Sequence, residues 1–124
     1  MSTFYEQVGG ESFFEELISH FYGRVATSEI LMTMYPKDDL HEAANRLKMF
    51  LEQYWGGPTT YSEVRGHPRL RMRHAGFHIN MAARDAWLNA MNASIDEMKM
   101  DEILRVELKS YVLMAANSMI NQPD

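Results

Sequence analysis

Residues 65–79, Arg-Gly-His-Pro-Arg-Leu-Arg-Met-Arg-His-Ala-Gly-Phe-His-Ile, concentrate the side chains best suited to chemistry. The stretch holds four of the twelve Lys/Arg residues and three of the five His residues, in a chain whose formal net charge is −5. Its basic character is therefore local. Read as a short helix entered through Gly66 and Pro68, it places Leu70, His74, Phe77 and Met81 at i, i+4, i+7 and i+11, with His74 inside an apolar stripe. Arg69, Arg71 and Arg73 fall mostly off that stripe. An imidazole in an oily wall rimmed by cations suits a flat apolar disc with a metal at its centre and carboxylates on its edge, which describes haem. The same spacing also describes a half-buried structural His beside a solvated charged face, and this stretch alone slightly favours that plainer reading. His78, four residues after His74, has the spacing of a zinc pair, but no third ligand is evident and Gly76 interrupts the shared face.

The elements that must position this stretch are helical. At 124 residues, 46% hydrophobic and 23% charged, the chain has the length and composition of one globular domain, residues 1–124. The absence of cysteine excludes disulfides, thiolate metal sites and cysteine nucleophiles. No apolar run reaches the length of a membrane span, and the N-terminus lacks the basic and apolar regions of a signal peptide, so the expected location is cytoplasmic. Net negative charge argues against general nucleic-acid affinity.

In chain order, Thr3-x-x-Glu6 reads as a capping box for a very short helix stopped by Gly9-Gly10. Ser12-x-x-Glu15 reads as a second start, followed by Phe13, Phe14, Leu17, Ile18, Phe21, Tyr22 and Val25 in helical period to about Ala26. Tyr22 lies at the inner edge of that face, where a core tyrosine is the plainer expectation. Thr27-Ser28 punctuates, residues 29–34 allow one or two helical turns, and Tyr35-Pro36 ends them. Asp39-x-x-Glu42 opens the clearest helix, with Leu40, Ala43, Ala44, Leu47, Phe50, Leu51 and Tyr54 on one face, stopped by Gly56-Gly57-Pro58. Residues 56–66 show neither period and read as a long loop, in which Tyr61 and Arg65 give polar reach. A helix from about His78 carries Met81, Ala82, Asp85, Trp87, Leu88, Met91 and Ile95. Asp101 opens the last, with Leu104, Leu108, Tyr111, Val112, Ala115 and Met119 inward and Pro123 at its end. No convincing strand appears. The expected class is all-α, with roughly five substantial helices among shorter ones.

Several motifs together carry a family likeness: Tyr35-Pro-x-x-Asp-Leu40, Phe50-Leu-x-Gln-Tyr-Trp-Gly-Gly-Pro58, Tyr61-Ser62, Arg65-Gly-His-Pro-Arg-Leu-Arg-Met-Arg-His74, Arg84-Asp-Ala-Trp-Leu88 and the early Gly9-Gly10 pair. The chain resembles the truncated haemoglobins almost end to end, most closely the bacterial group II, or O, type. The resemblance implies a shortened globin fold, a two-over-two helical sandwich around haem b, with the proximal helix reduced to a stub. It implies His74 as the iron ligand, and Tyr22, Tyr35 and Trp87 as polar groups that stabilise a ligand on the distal side. Ala43 falls where larger globins place a distal histidine, and Leu47 lies one turn on. Arg73 resembles a propionate partner, with Arg46, Tyr61 and His67 as weaker candidates. The implied haem contacts are Tyr35, Ala43, Arg46, Leu47, Tyr54, Tyr61, His67, Leu70, Met72, Arg73, His74, Phe77 and Trp87. Gly76 departs from the family, where proline is frequent, which leaves the end of the proximal stub open.

Iron held by one imidazole, with no histidine at Ala43, is expected to be five-coordinate and open to oxygen, nitric oxide, carbon monoxide or peroxide. The hydroxyls of Tyr22 and Tyr35 and the indole N–H of Trp87 are donors for such a ligand. A hydrogen bond to a charged partner contributes roughly 1.5–3 kcal/mol, about ten- to a hundredfold in dissociation rate. Slow oxygen release suits redox chemistry, such as nitric oxide oxidation or peroxide turnover, better than delivery. That chemistry needs an external reductase, and the sequence does not set the oligomeric state, homo-oligomers included. The alternatives are a simple oxygen carrier or store and, in a different class, a helical module binding phosphates or nucleic acid through Arg65, Arg69, Arg71 and Arg73.

Overall fold

In the computed structural model, residues 2–35, 39–66, 74 and 79–122 are described. Seven helices have defined bounds among them: α1 Phe4–Val8, α2 Glu11–Val25, α3 Glu29–Met32, α4 Leu40–Tyr54, α5 Thr60–Arg65, α6 Met81–Glu97 and α7 Glu102–Met119. The backbone at His74 is also helical, and no strand occurs among the described residues. None of these helices is long and apolar enough to cross a membrane.

The long helices pack in pairs. α2 lies on α4, α6 lies on α7, and α2 also packs against α6, joining the pairs. The residues that hold the layers together are those whose period marked them: Phe14, Leu17, Phe21 and Val25 from α2, Leu31 from α3, Met91 and Ile95 from α6, and Leu108 and Val112 from α7, all essentially inaccessible to solvent. Each such side chain contributes about 1.5–3 kcal/mol on burial. Arg24 on α2 adds a polar tie to α6, with two bonds to the Glu97 carboxylate at 3.2 and 2.9 Å and one to the Ser94 hydroxyl at 3.3 Å. Arg105 donates to the carbonyls of Ile95 and Met98, at 2.6 and 3.0 Å, closing the C-terminus of α6.

Several expected boundaries hold. Thr3 and Glu6 form the reciprocal capping box of α1, and Gly9 follows in the left-handed region at φ 110°. The Ser28 hydroxyl accepts from the Leu31 N–H at 3.2 Å, and Asp101 accepts from the Ile103 N–H at 2.8 Å. α1 folds onto the end of α4, the Tyr5 N–H donating to the Trp55 carbonyl at 3.0 Å. Gly57 makes this closure fit: a Cβ there would meet the Tyr5 ring at 2.6 Å.

Other boundaries differ. Helix α2 begins at Glu11 with Gly10 as its cap, while the Ser12 hydroxyl turns back to the Gly9 carbonyl at 3.4 Å, so Ser12 and Glu15 form no capping box. Asp39 precedes α4 but does not cap it, because Arg46 takes its carboxylate at 2.8 Å. The expected loop at 56–66 contains α5. Six residues carry too little period to be read from sequence, and the helix is held by tertiary contacts. The Gln53 side chain accepts from the Ser62 N–H at 2.9 Å and donates to its hydroxyl at 2.7 Å, and Tyr61 is buried against Phe50. α6 starts at Met81, not near His78, because the Asn80 side chain accepts from the Ala83 N–H at 2.9 Å and caps it there. Met81 is 49% exposed, so it does not extend the apolar stripe of His74 inward. Pro68, Gly76, His78 and Pro123 lie outside the described residues.

Candidate functional site

The two helix pairs leave a cavity of about 430 Å³ between them, within the range that holds a cofactor. The long helices build its walls. α2 presents Tyr22, α4 presents Ala43, Arg46, Leu47, Phe50 and Leu51, α6 presents Ala83, Arg84, Trp87 and Met91, and α7 presents Tyr111, Val112, Ala115, Ala116 and Met119. Met34, Tyr35 and Asp39 line it between α3 and α4, and Tyr61 and Arg65 line it from α5. His74, half-buried, and Ile79, buried, complete it. Space opens there because small residues stand where three packed helices would otherwise fill it: Ala43, Ala83 and Ala116 are all buried.

Three polar aromatic groups cluster at this cavity. The Tyr22 and Tyr35 rings meet edge to face with centroids 5.7 Å apart, and Trp87 rests edge-on against Phe21 at 5.4 Å. Burial, followed by the adjacent Tyr35 hydroxyl, pushes the Tyr22 phenol far above its ordinary range. Burial also raises Tyr35, while hydrogen bonding with Tyr22, the Arg46 cation and the Trp87 indole offset part of that rise. Both phenols are therefore neutral O–H groups across the biological pH range. The indole of Trp87 is a donor only, and its proximity counts among the influences that hold down the rise of Tyr35.

The cations on the wall are already engaged. Arg46 pairs with Asp39 at 2.8 Å, and that partner holds its guanidinium pKa up. Arg84 bonds to Asp85 at 2.7 Å and to the Asn117 side chain. Tyr111 has its phenol pushed up to about 12 by burial and then by Tyr54, whose ring lies 4.1 Å from its own.

Of the residues singled out in the sequence, Tyr22, Tyr35, Ala43, Arg46, Leu47, Tyr61, His74 and Trp87 line this one cavity. Tyr54 does not: it is 49% exposed and stacks on the outer side of Tyr111. His67, Leu70, Met72, Arg73 and Phe77 lie outside the described residues, as do Arg69 and Arg71. Sequence reasoning missed Arg84 and the whole α7 wall. The period of α7 marked Tyr111, Val112, Ala115 and Met119 as inward-facing, but it does not distinguish a face packed on core from one packed on a cavity.

The residues fit a haem. An apolar disc needs walls such as Leu47, Phe50, Ile79 and Ala83, its iron needs one imidazole, and its carboxylates need cations near the rim, here Arg46, Arg65 and Arg84. His74 is the single histidine among the described residues that line the cavity, and the chain has no cysteine. No group of three or more His, Asp or Glu side chains able to hold a bare metal ion occurs among the described residues.

Comparison with known proteins agrees with this fit. The profile of the bacterial-like globins matches residues 3–121. The group 2 truncated hemoglobin YjbI of Bacillus subtilis (strain 168) is 39% identical over 120 residues, covering 97% of this chain and 89% of that one. The crystal structure of a thermostable hemoglobin from the actinobacterium Thermobifida fusca is similar with a TM-score of 0.96, at 50% identity, covering 99% of this chain and 100% of that one. A truncated oxygen-avid haemoglobin from Bacillus subtilis is similar with a TM-score of 0.90, at 38% identity, covering 97% of this chain and 100% of that one.

Proposed function

The chain belongs to the bacterial-like globin family, and within it to the group II truncated haemoglobins, and from that premise we propose that it holds its haem through His74 and releases oxygen slowly. The cofactor is haem b, and the function at its broadest is haem-based binding of oxygen and other diatomic ligands. Held by one imidazole, a haem supplies an iron with one coordination position open to a gas. The observation that carries the reading is that His74 lines the same cavity as Tyr22, Tyr35 and Trp87.

The chain's own residues then divide the work. His74 would provide the imidazole nitrogen that holds the iron. Ala43, buried and small, leaves room on the wall instead of a competing ligand. Trp87 carries an N–H and no lone pair, so it can only donate. A ligand in the cavity with a lone pair can accept that proton. Tyr22 and Tyr35, kept neutral by burial, add O–H donors without placing an anion beside the ligand. Their hydrogen bonds retain a ligand that carries partial negative charge. The B. subtilis relative is described as oxygen-avid, which supports slow release here. Slow release favours redox chemistry of the nitric oxide dioxygenase or peroxide-consuming kind, with electrons from an external reductase, over oxygen carriage.

Haem titration of the purified chain with and without His74→Ala tests the assignment. We expect a one-to-one complex in the wild type, and weakened haem retention or loss of the histidine-ligated ferrous spectrum in the variant. A variant that keeps both the wild-type spectrum and the wild-type affinity would remove His74 from the iron.

A further inference from the structure

We propose that Asn121, beyond the end of the last helix, is a positioning residue that sets how the His74 segment is presented to the cavity. This rests on the reading of His74 as the iron ligand. After Met119 the chain leaves α7 through an extended Ile120 and runs beside Ile79. There the Asn121 side chain accepts from the Ile79 N–H at 2.9 Å and donates to the His74 carbonyl at 3.3 Å. The Ile79 carbonyl in turn accepts from the N–H groups of Asn121, at 2.9 Å, and Gln122, at 3.1 Å. One planar amide thus holds both ends of the segment from His74 to Ile79.

The chemistry restricts which side chains could do this. A carboxamide presents a donor and an acceptor side by side, whereas a carboxylate offers acceptors alone and a hydroxyl a single O–H. Asn121 is exposed, so packing does not require an asparagine there. Ile79, by contrast, is 7% exposed and lines the cavity. Without the tail its N–H and carbonyl would lose these partners at a site where buried backbone groups need them. The next residue, Asn80, caps α6, the helix that carries Trp87. The tail therefore fixes the junction between the ligand segment and the donor helix as well as the carbonyl of His74.

The test compares Asn121→Ala and Asn121→Asp in the haem-loaded protein. It reads amide hydrogen exchange at Ile79, the iron–histidine stretching band of the ferrous ligand-free form, and haem transfer to an acceptor protein. For Asn121→Ala we expect faster exchange at Ile79, a shifted band, and haem loss accelerated roughly three- to tenfold, the size of one lost hydrogen bond. Asn121→Asp keeps the acceptor for Ile79 but sets a carboxylate against the His74 carbonyl. It should restore protection at Ile79 and leave the band shifted. If Asn121→Ala loosens Ile79 while band and haem loss stay as in the wild type, the tail is a structural clasp and the proposal is overturned. His74→Ala separates the underlying reading: if that variant keeps the band, the ligand assignment itself fails and the role of Asn121 falls with it.

Discussion

The two sides of the cavity are held by different physics. Tyr22 and Trp87 project from the long helices α2 and α6, and Tyr35 follows α3. Beneath them lie Phe21, Leu31 and Met91, none of which reaches solvent. On the other side, the His74 carbonyl accepts a bond from Asn121 of the exposed tail. Displacing a donor therefore means disturbing close-packed core, where each large side chain matters by several kcal/mol. Each bond from the tail to His74 or Ile79 is worth about 1 kcal/mol. Among the described residues, the polar aromatic groups rest on apolar packing, and the tail contributes polar bonds.

Removing the packing beneath the donors is the strongest way to break this contrast. Phe21→Ala takes away the ring on which Trp87 rests and should cost about 3–5 kcal/mol of folding stability in a denaturant titration. A loss below about 1 kcal/mol would show that the donor side is not core-supported. Within the donor cluster, Tyr22→Phe and Tyr35→Phe should each accelerate oxygen release only a few-fold, because Trp87 retains its N–H and one hydroxyl remains. The double change Tyr35→Phe with Trp87→Phe should be non-additive, since the two groups address each other. Strict additivity in stopped-flow rates would mean that they act separately. The smallest effect is expected at Arg46. Its pair with Asp39 is about a third exposed on each side, so Arg46→Ala should cost no more than about 1 kcal/mol. The same change removes a nearby cation and should raise the already elevated Tyr22 and Tyr35 pKa values further. A tyrosine ionisation that moves to lower pH, followed by ultraviolet absorbance, would contradict the electrostatics assigned to the cavity.

The same division explains what the sequence revealed. The faces of α2, α4 and α7 were legible because apolar residues recur every three or four positions over about four turns, and Thr3, Ser28 and Asp101 announce their helices through capping chemistry. Periodicity marked Tyr22 only as the inner edge of its face, and it was the family resemblance that singled out Tyr22, Tyr35 and Trp87 as polar groups of one site. Helix α5 was not legible, since it depends on Gln53 reaching across from α4 and on Tyr61 finding Phe50, contacts between residues with no local pattern. Asp39 and Ser12 carried the right side chains for caps, yet Arg46 and the Gly9 carbonyl took them. Tyr54 had the right period for the inner face but lies one turn too far along α4, past the cavity and against Tyr111. The role of Asn121 had no sequence signal at all, because a tail residue shows its partners only once α7 has brought it back beside Ile79.

On the proposed function, the donors retain the ligand, with Trp87 foremost among them. Stopped-flow measurement of oxygen dissociation from the ferrous haem-loaded protein, wild type against Trp87→Phe, tests it most directly, because phenylalanine keeps the aromatic packing against Phe21 and removes only the N–H. Slow release in the wild type and an acceleration of roughly ten- to a hundredfold in the variant is the expected result. A wild-type rate already as fast as that of a haem without donors, or a rate that ignores the substitution, would contradict the account and return the protein to simple oxygen carriage.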